Sequence, residues 1–97
     1  MPTYISLTKY TQQGIQNIKD SPSRLDAAKK AFQSMGAEIK QFYLVMGQYD
    51  TVIVFDAPDE ETVAKLMLAT GSLGNISTQT MRAFTEDEFR KIVSGLP

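Results

Sequence analysis

Ninety-seven residues with ten Lys plus Arg against eleven Asp plus Glu give a formal net charge of -1 and room for one hydrophobic core. Neither cysteine nor histidine is present, which excludes thiol nucleophiles, disulfides, zinc–thiolate and iron–sulfur sites, histidine-ligated haem and the usual neutral-pH general base. No cationic block stands out to track a phosphate backbone, so no nucleic-acid partner is expected.

The start, Met1-Pro2-Thr3-Tyr4, lacks a charged segment leading into an apolar one. No run approaches the roughly 18 apolar residues of a membrane span, so a cytoplasmic protein with no membrane partner is expected. Over residues 3–9 the chain alternates, Ile5 and Leu7 on one face and Tyr4, Ser6 and Thr8 on the other, and this predicts a first strand. Residues 10–20 form a polar connection in which only Ile15 and Ile18 have helical spacing. A connection of that length is either functional or mobile in most compact domains, which makes it a candidate wall of a site.

Ser21-Pro22 opens the first clear helix, with Ser able to accept bonds from free amides and Pro placed where no donor is needed. Leu25, Ala28, Phe32 and Met35 then give its apolar stripe, and Gly36 supplies the left-handed stop. Over residues 37–46 the period returns to two: Ile39, Tyr43 and Val45 point one way, Phe42, Leu44 and Met46 the other. Gly47-Gln48-Tyr49-Asp50 reads as a turn into the strongly β-prone residues 51–55, so these two strands form a hairpin.

Asp59 caps a second helix whose first turn holds Glu60 and Glu61 and whose buried face is Val63, Leu66, Met67 and Thr70. Gly71-Ser72-Leu73-Gly74 closes it. Residues 75–84 make a fourth strand with Ile76, Thr78, Thr80, Arg82 and Phe84 on one side. Thr85-Glu86-Asp87-Glu88 then fits a capping box before a short terminal helix that lines up Phe89, Ile92 and Val93.

The order β-α-β-β-α-β with a helical tail is the α+β, ferredoxin-like arrangement, in which two helices cover one face of a four-stranded antiparallel sheet. Its open face should be polar, yet residues 52–55 are continuously apolar and the end of the second strand is apolar on both sides. A homo-oligomer is therefore expected, the alternative being a terminal helix folded back over part of that face.

The chain resembles the GYD-domain family nearly end to end. The likeness rests on Tyr4-Ile5-Ser6-Leu7, Thr11-x-Gln13-Gly14 with Asn17, Ser21-Pro22 with Arg24, Gly47-x-Tyr49-Asp50, and Gly71-x-x-Gly74-Asn75 leading into Thr78-x-Thr80-x-Arg82-Ala83-Phe84. Ser77 departs from the pattern, standing where similar sequences carry a basic residue. What the resemblance implies is a dimeric α+β barrel; the family carries no settled biochemical function, and fold alone does not decide one.

Tyr49 and Asp50 are the candidate catalytic pair, a phenol beside a carboxylate able to move a proton if burial raises the acid's pKa. The structural alternative has Asp50 accepting turn amides while Tyr49 packs on a neighbouring strand. Arg24 at the helix entrance and Arg82 on the fourth strand are candidates to hold a carboxylate or phosphate, or else make surface ion pairs. Gln13, Asn17, Tyr4 and Tyr43 complete a candidate ligand pocket, with barrel-core packing as the alternative for both tyrosines.

The carboxylates cluster at helix starts, where capping explains them, so neither a metal nor a cofactor is expected. Three functions follow: a homo-oligomeric module that binds a small organic molecule in a binding or regulatory role, a cofactor-independent oxygenase or isomerase, and a purely structural assembly.

Overall fold

Four antiparallel strands, β1 (Thr3–Tyr10), β2 (Glu38–Leu44), β3 (Thr51–Asp56) and β4 (Ile76–Ala83), lie in the order β2-β3-β1-β4 in the computed structural model, which describes residues 1–97. That order is the ferredoxin-like topology expected from the element sequence. The helices are α1 (Gln12–Gln16), α2 (Ser21–Ser34), α3 (Glu60–Ser72) and α4 (Glu86–Ser94), with a 3-10 turn over Ile18–Asp20. The polar connection after β1 is thus folded along most of its length. None of the helices is long and apolar enough to cross a membrane.

Local chemistry sets most of the boundaries. Thr11 caps α1 by accepting from the Gly14 amide at 3.1 Å, and Asp59 caps α3 by accepting from the Thr62 amide at 2.8 Å. The Thr85 and Glu88 side chains form the expected reciprocal capping box at α4. At α2 the expectation needs correcting: the Ser21 hydroxyl lies 3.0 Å from the Tyr10 hydroxyl and caps nothing. Pro22, which has no amide, leaves one donor fewer to satisfy there. Gly36 and Gly74, with φ of 77° and 81°, turn the chain out of α2 and α3 through the left-handed region.

Two of these caps carry a pH dependence. Hydrogen bonds from the Thr62 and Thr85 amides hold the carboxyls of Asp59 and Glu88 below their ordinary pKa values, with Lys65 and Arg82 adding smaller contributions. A depressed folded-state pKa means that the cap's contribution is complete above the ordinary carboxylate value and drains away as pH falls through the lower, folded one. The urea midpoint is expected to fall between pH 7 and pH 3, and to fall by less in the double variant Asp59→Asn, Glu88→Gln. An equal fall in both proteins would assign the acid sensitivity to other carboxylates.

The helix-covered face of the sheet is the one bearing Tyr4, Ser6 and Thr8, and its core gathers at one end. Tyr4, Phe32, Ala37, Phe55, Ala57, Val63 and Leu66 are buried where β1 starts, β3 ends, α2 finishes and α3 begins. Phe55 is fully buried; it stacks on Tyr4 at 5.6 Å and receives the edge of Phe32 at 5.1 Å.

In β2 the sequence periodicity misassigns a face. The β2–β3 register shifts between Ile39 and Gln41, so Ile39 opposes Phe55 and Phe42 opposes Ile53. Ile39 and Phe42 therefore both face the helices, while Tyr43, opposite Val52, faces away. An extra residue, Lys40, resets the alternation as a β-bulge does. Its ammonium lies 3.2 Å from Glu38 and 3.9 Å from Asp56 at the sheet edge.

The centre of the opposite face carries two cross-strand rows, Gln41, Val54, Ile5 and Met81, then Tyr43, Val52, Leu7 and Gln79. None of these is buried. The alternative in which the tail covers this face does not hold, since α4 buries none of its residues and leaves Phe89 59% exposed. A sheet face of this composition is left open by the single chain.

Candidate functional site

The half of the molecule away from the core is hollow. Along its first half α2 turns Leu25 and Ala28 toward the sheet, the more exposed Ala27 and Ala31 line the space beside them, and the last turns of α3 with its cap bring Met67, Thr70 and Leu73. Alanine methyl groups are too short to fill the space between helix and sheet. What remains is a cleft of about 400 Å³, within the range of small-molecule pockets and equal to the share of roughly a dozen waters in the liquid.

Its floor sets a group of hydroxyls among the apolar side chains of Ile39, Phe42, Ile53 and Ile76. Ser6, Thr8 and Thr51, each no more than 3% exposed, line it together with Thr78. The Thr8 and Thr51 hydroxyls bond to each other across the β1–β3 pair. Thr80 donates to the Ser6 oxygen at 3.0 Å, and the Ser6 hydroxyl is directed at the Met67 sulfur, 3.8 Å away.

Carboxylates are absent from the lining, whose only ionisable side chains are Arg24 and Tyr10. The Arg24 guanidinium is already engaged, donating to the Asn17 carbonyl at 3.1 Å and the Gly14 carbonyl at 3.5 Å. It ties the 3-10 turn and the end of α1 to α2 at the lip of the cleft. Nothing in the lining resembles a base poised to take a proton.

A second tie closes the rim. The Thr11 hydroxyl donates to the Gly74 carbonyl at 2.6 Å and the Thr11 amide to the Asn75 carbonyl at 3.0 Å. The Gln13 amide group donates at 3.1 Å both to the Leu73 carbonyl and to the Asn75 side-chain oxygen. Gly14 is buried against this strap, and a β-carbon there would overlap the Asn75 carbonyl oxygen. Asn17 donates to the Gln13 carbonyl at 3.0 Å. Gln13 and Asn17 thus sit in the strap that joins α1 to the start of β4.

The remaining candidates lie apart from the cleft. Tyr4 is in the core at the far end, with the Arg82 guanidinium 5.7 Å from its ring. Arg82 bonds to the carbonyls of Thr3 and Ala83, lies 4.3 Å from the Phe84 ring and sits 3.8 Å from Glu88. It anchors α4 to the sheet about 20 Å along β1 from the Arg24 end, at ~3.3 Å per strand residue. The two arginines therefore do not converge on one anion. Tyr43 is half exposed on the open sheet face.

Tyr49 and Asp50 diverge, as adjacent residues entering a strand do. The Asp50 carboxylate accepts the Tyr10 amide at 2.9 Å, while its own amide donates to the Thr8 carbonyl at 2.8 Å and its carbonyl accepts from Val45 at 2.8 Å. Tyr49 reaches across to bond Gln79 on the open face, with the Lys9 ammonium 5.4 Å from its ring.

Residue by residue, then, only Arg24 of the sequence candidates lines the cleft. The floor threonines and the alanine ceiling are not among those candidates. Their signal is present in the string all the same: Ser6 and Thr8 alternate in phase with Thr78 and Thr80, and Ala27, Ala28 and Ala31 crowd one helix.

Comparison with known proteins agrees with this architecture. A protein from Thermus thermophilus named "Glutamine synthetase and cystathionine beta-lyase binding protein" is 34% identical over 84 residues, spanning 86% of this chain and 88% of that protein. A crystal structure of a protein from Thermus thermophilus superposes with a TM-score of 0.56 at 23% identity, covering 88% of this chain and 95% of that one, and so shares its fold. The GYD domain profile matches residues 4–93, and with the Gln13-Gly14 strap, the Tyr49-Asp50 turn and all of the four-stranded sheet but Thr3 inside that span, the chain belongs to the GYD-domain family.

Proposed function

We propose that this protein is a cytoplasmic binding or regulatory module that works as an assembly of identical copies and takes a small organic molecule in the cleft under α2 and α3. The observation that carries the reading is the cleft itself: about 400 Å³, lined mostly by apolar side chains with a group of hydroxyls on the sheet, and without a carboxylate or a free cation in its lining. Such a lining binds without supplying acid–base chemistry. The relative named for binding two enzymes supports a role exerted on other proteins rather than turnover of a substrate. Apolar rows on the open face support a second copy as their cover.

Ala28→Phe tests the cleft, because the added ring points into it from α2. Organic extracts of freshly purified wild type, analysed by mass spectrometry, are expected to contain a retained compound near one per chain. The variant, folded by circular dichroism, is expected to retain less than a tenth of that. Equal retention by both proteins, or extracts empty for wild type, would contradict the proposal.

A further inference from the structure

The hydroxyls of the cleft floor hold more protons than they have bonds to spend them on. Thr8 and Thr51 carry one O–H each, and their mutual bond uses only one of the two. The other has no protein acceptor, although both residues are no more than 3% exposed. Thr78, the partner of Thr8 on the neighbouring β4, lines the cleft with its hydroxyl unbonded to any protein group. Ser6 directs its proton only at the Met67 thioether, a weak acceptor. An uncommitted buried donor costs free energy that a ligand acceptor can return.

The hydroxyl oxygens can also accept, but no charged acceptor stands among them. No carboxylate lines the cleft, and the Asn75 side-chain oxygen is taken by Gln13. A cationic ligand would have no counter-charge. An anion would find only Arg24, whose guanidinium is spent on two carbonyls, and would lose its hydration against alanine and leucine side chains. The lining is mostly apolar on both walls, with alanine methyls above and Ile39, Phe42, Ile53 and Ile76 beside the threonines below, and the gap left between helix and sheet suits a flat apolar body.

We infer that the cleft recognises an uncharged, flat, apolar molecule by a carbonyl oxygen, which accepts hydrogen bonds from the Thr8–Thr51 pair and from Thr78. This rests on the cleft being a ligand site and adds the chemical class of its occupant.

Equilibrium dialysis of the full-length protein with two probes of one shape separates the two levels. On wild type, 2-acetylnaphthalene, which has the carbonyl, is expected to bind at least tenfold tighter than 2-ethylnaphthalene, which lacks it. Thr78→Val and the double variant Thr8→Val, Thr51→Val, which removes both hydroxyls of the pair, tested separately, are expected to bring that ratio toward one while leaving the affinity for 2-ethylnaphthalene within twofold, which also reports an intact cleft. A ratio near one on wild type, or a ratio unchanged in both variants, overturns the carbonyl assignment. Should Ala28→Phe still exclude both probes in that case, the cleft reading survives it. Absence of binding by either probe to wild type, or binding unaffected by Ala28→Phe, overturns the two together.

Discussion

Gly14→Ala is expected to lower the unfolding free energy by about 3 kcal/mol, even though alanine is the better helix former. In an open helical site the exchange stabilises by roughly 0.5–1 kcal/mol, because alanine loses less backbone entropy on folding. At Gly14 the new methyl group would overlap the Asn75 carbonyl oxygen and stand 2.9 Å from its carbon. Both are backbone atoms, so no rotamer change relieves the overlap. Either α1 or the start of β4 must move, and the Thr11 bonds to Gly74 and Asn75 stretch or break with it. Gly71→Ala is the internal control. It lies in α3 with nothing within 4 Å of the added carbon, and should stabilise by about 0.5 kcal/mol. Urea unfolding of the two variants should shift the midpoint in opposite directions. A neutral Gly14→Ala would remove the strap from the list of features that hold the cleft rim.

In the proposed assembly of identical copies, Ile5→Glu is expected to abolish self-association while leaving the chain folded. Ile5 occupies the centre of a row, between Val54 and Met81, on the uncovered face. In a lone chain the glutamate reaches water and costs little beyond a β-propensity change of up to ~1 kcal/mol. Between two packed sheets it becomes an unpaired buried charge costing several kcal/mol, so the association constant should fall by more than about 100-fold. Analytical ultracentrifugation reads the assembly, and circular dichroism the fold. A variant that associates as well as wild type would place the contact between copies elsewhere, with α4 and its exposed Phe89, Ile92 and Val93 the next surface to test.

The sequence announces its elements more readily than its faces. Caps and stops are written locally: Asp59, the Thr85–Glu88 box and Gly36 act on amides or dihedrals within a few residues, so neighbours in the string suffice to read them. Alternation in residues 3–9 likewise separates Ile5 and Leu7 from Ser6 and Thr8. It does not say which set the helices cover, and here the helices cover the hydroxyl-bearing one. The bulge at Lys40 leaves no periodic mark of its own, since one extra residue turns a strict alternation into another equally strict one in the opposite phase.

Site residues are harder to read for a related reason. Gln13, Asn17, Arg24 and Arg82 look like ligand-binding groups because they are polar and set in a recognisable pattern, but their partners are backbone carbonyls, some of them far along the chain, such as Leu73 for Gln13 and Thr3 for Arg82. Only pairing in three dimensions reveals those acceptors. The cleft, in turn, is built from what is missing: methyl groups at Ala27, Ala28 and Ala31 where larger side chains would have closed it. A void has no sequence motif. Its floor is legible only once register sets Thr8 beside Thr51 and Thr78.

Native mass spectrometry of freshly purified wild-type protein is the most direct test of a shared sheet face and an occupied cleft, because one spectrum reports both the number of chains and any mass carried with them. The expected result is an even multiple of the 10.8 kDa chain bearing one small neutral adduct per copy, lost on activation in the gas phase. A bare single chain at every protein concentration would contradict both.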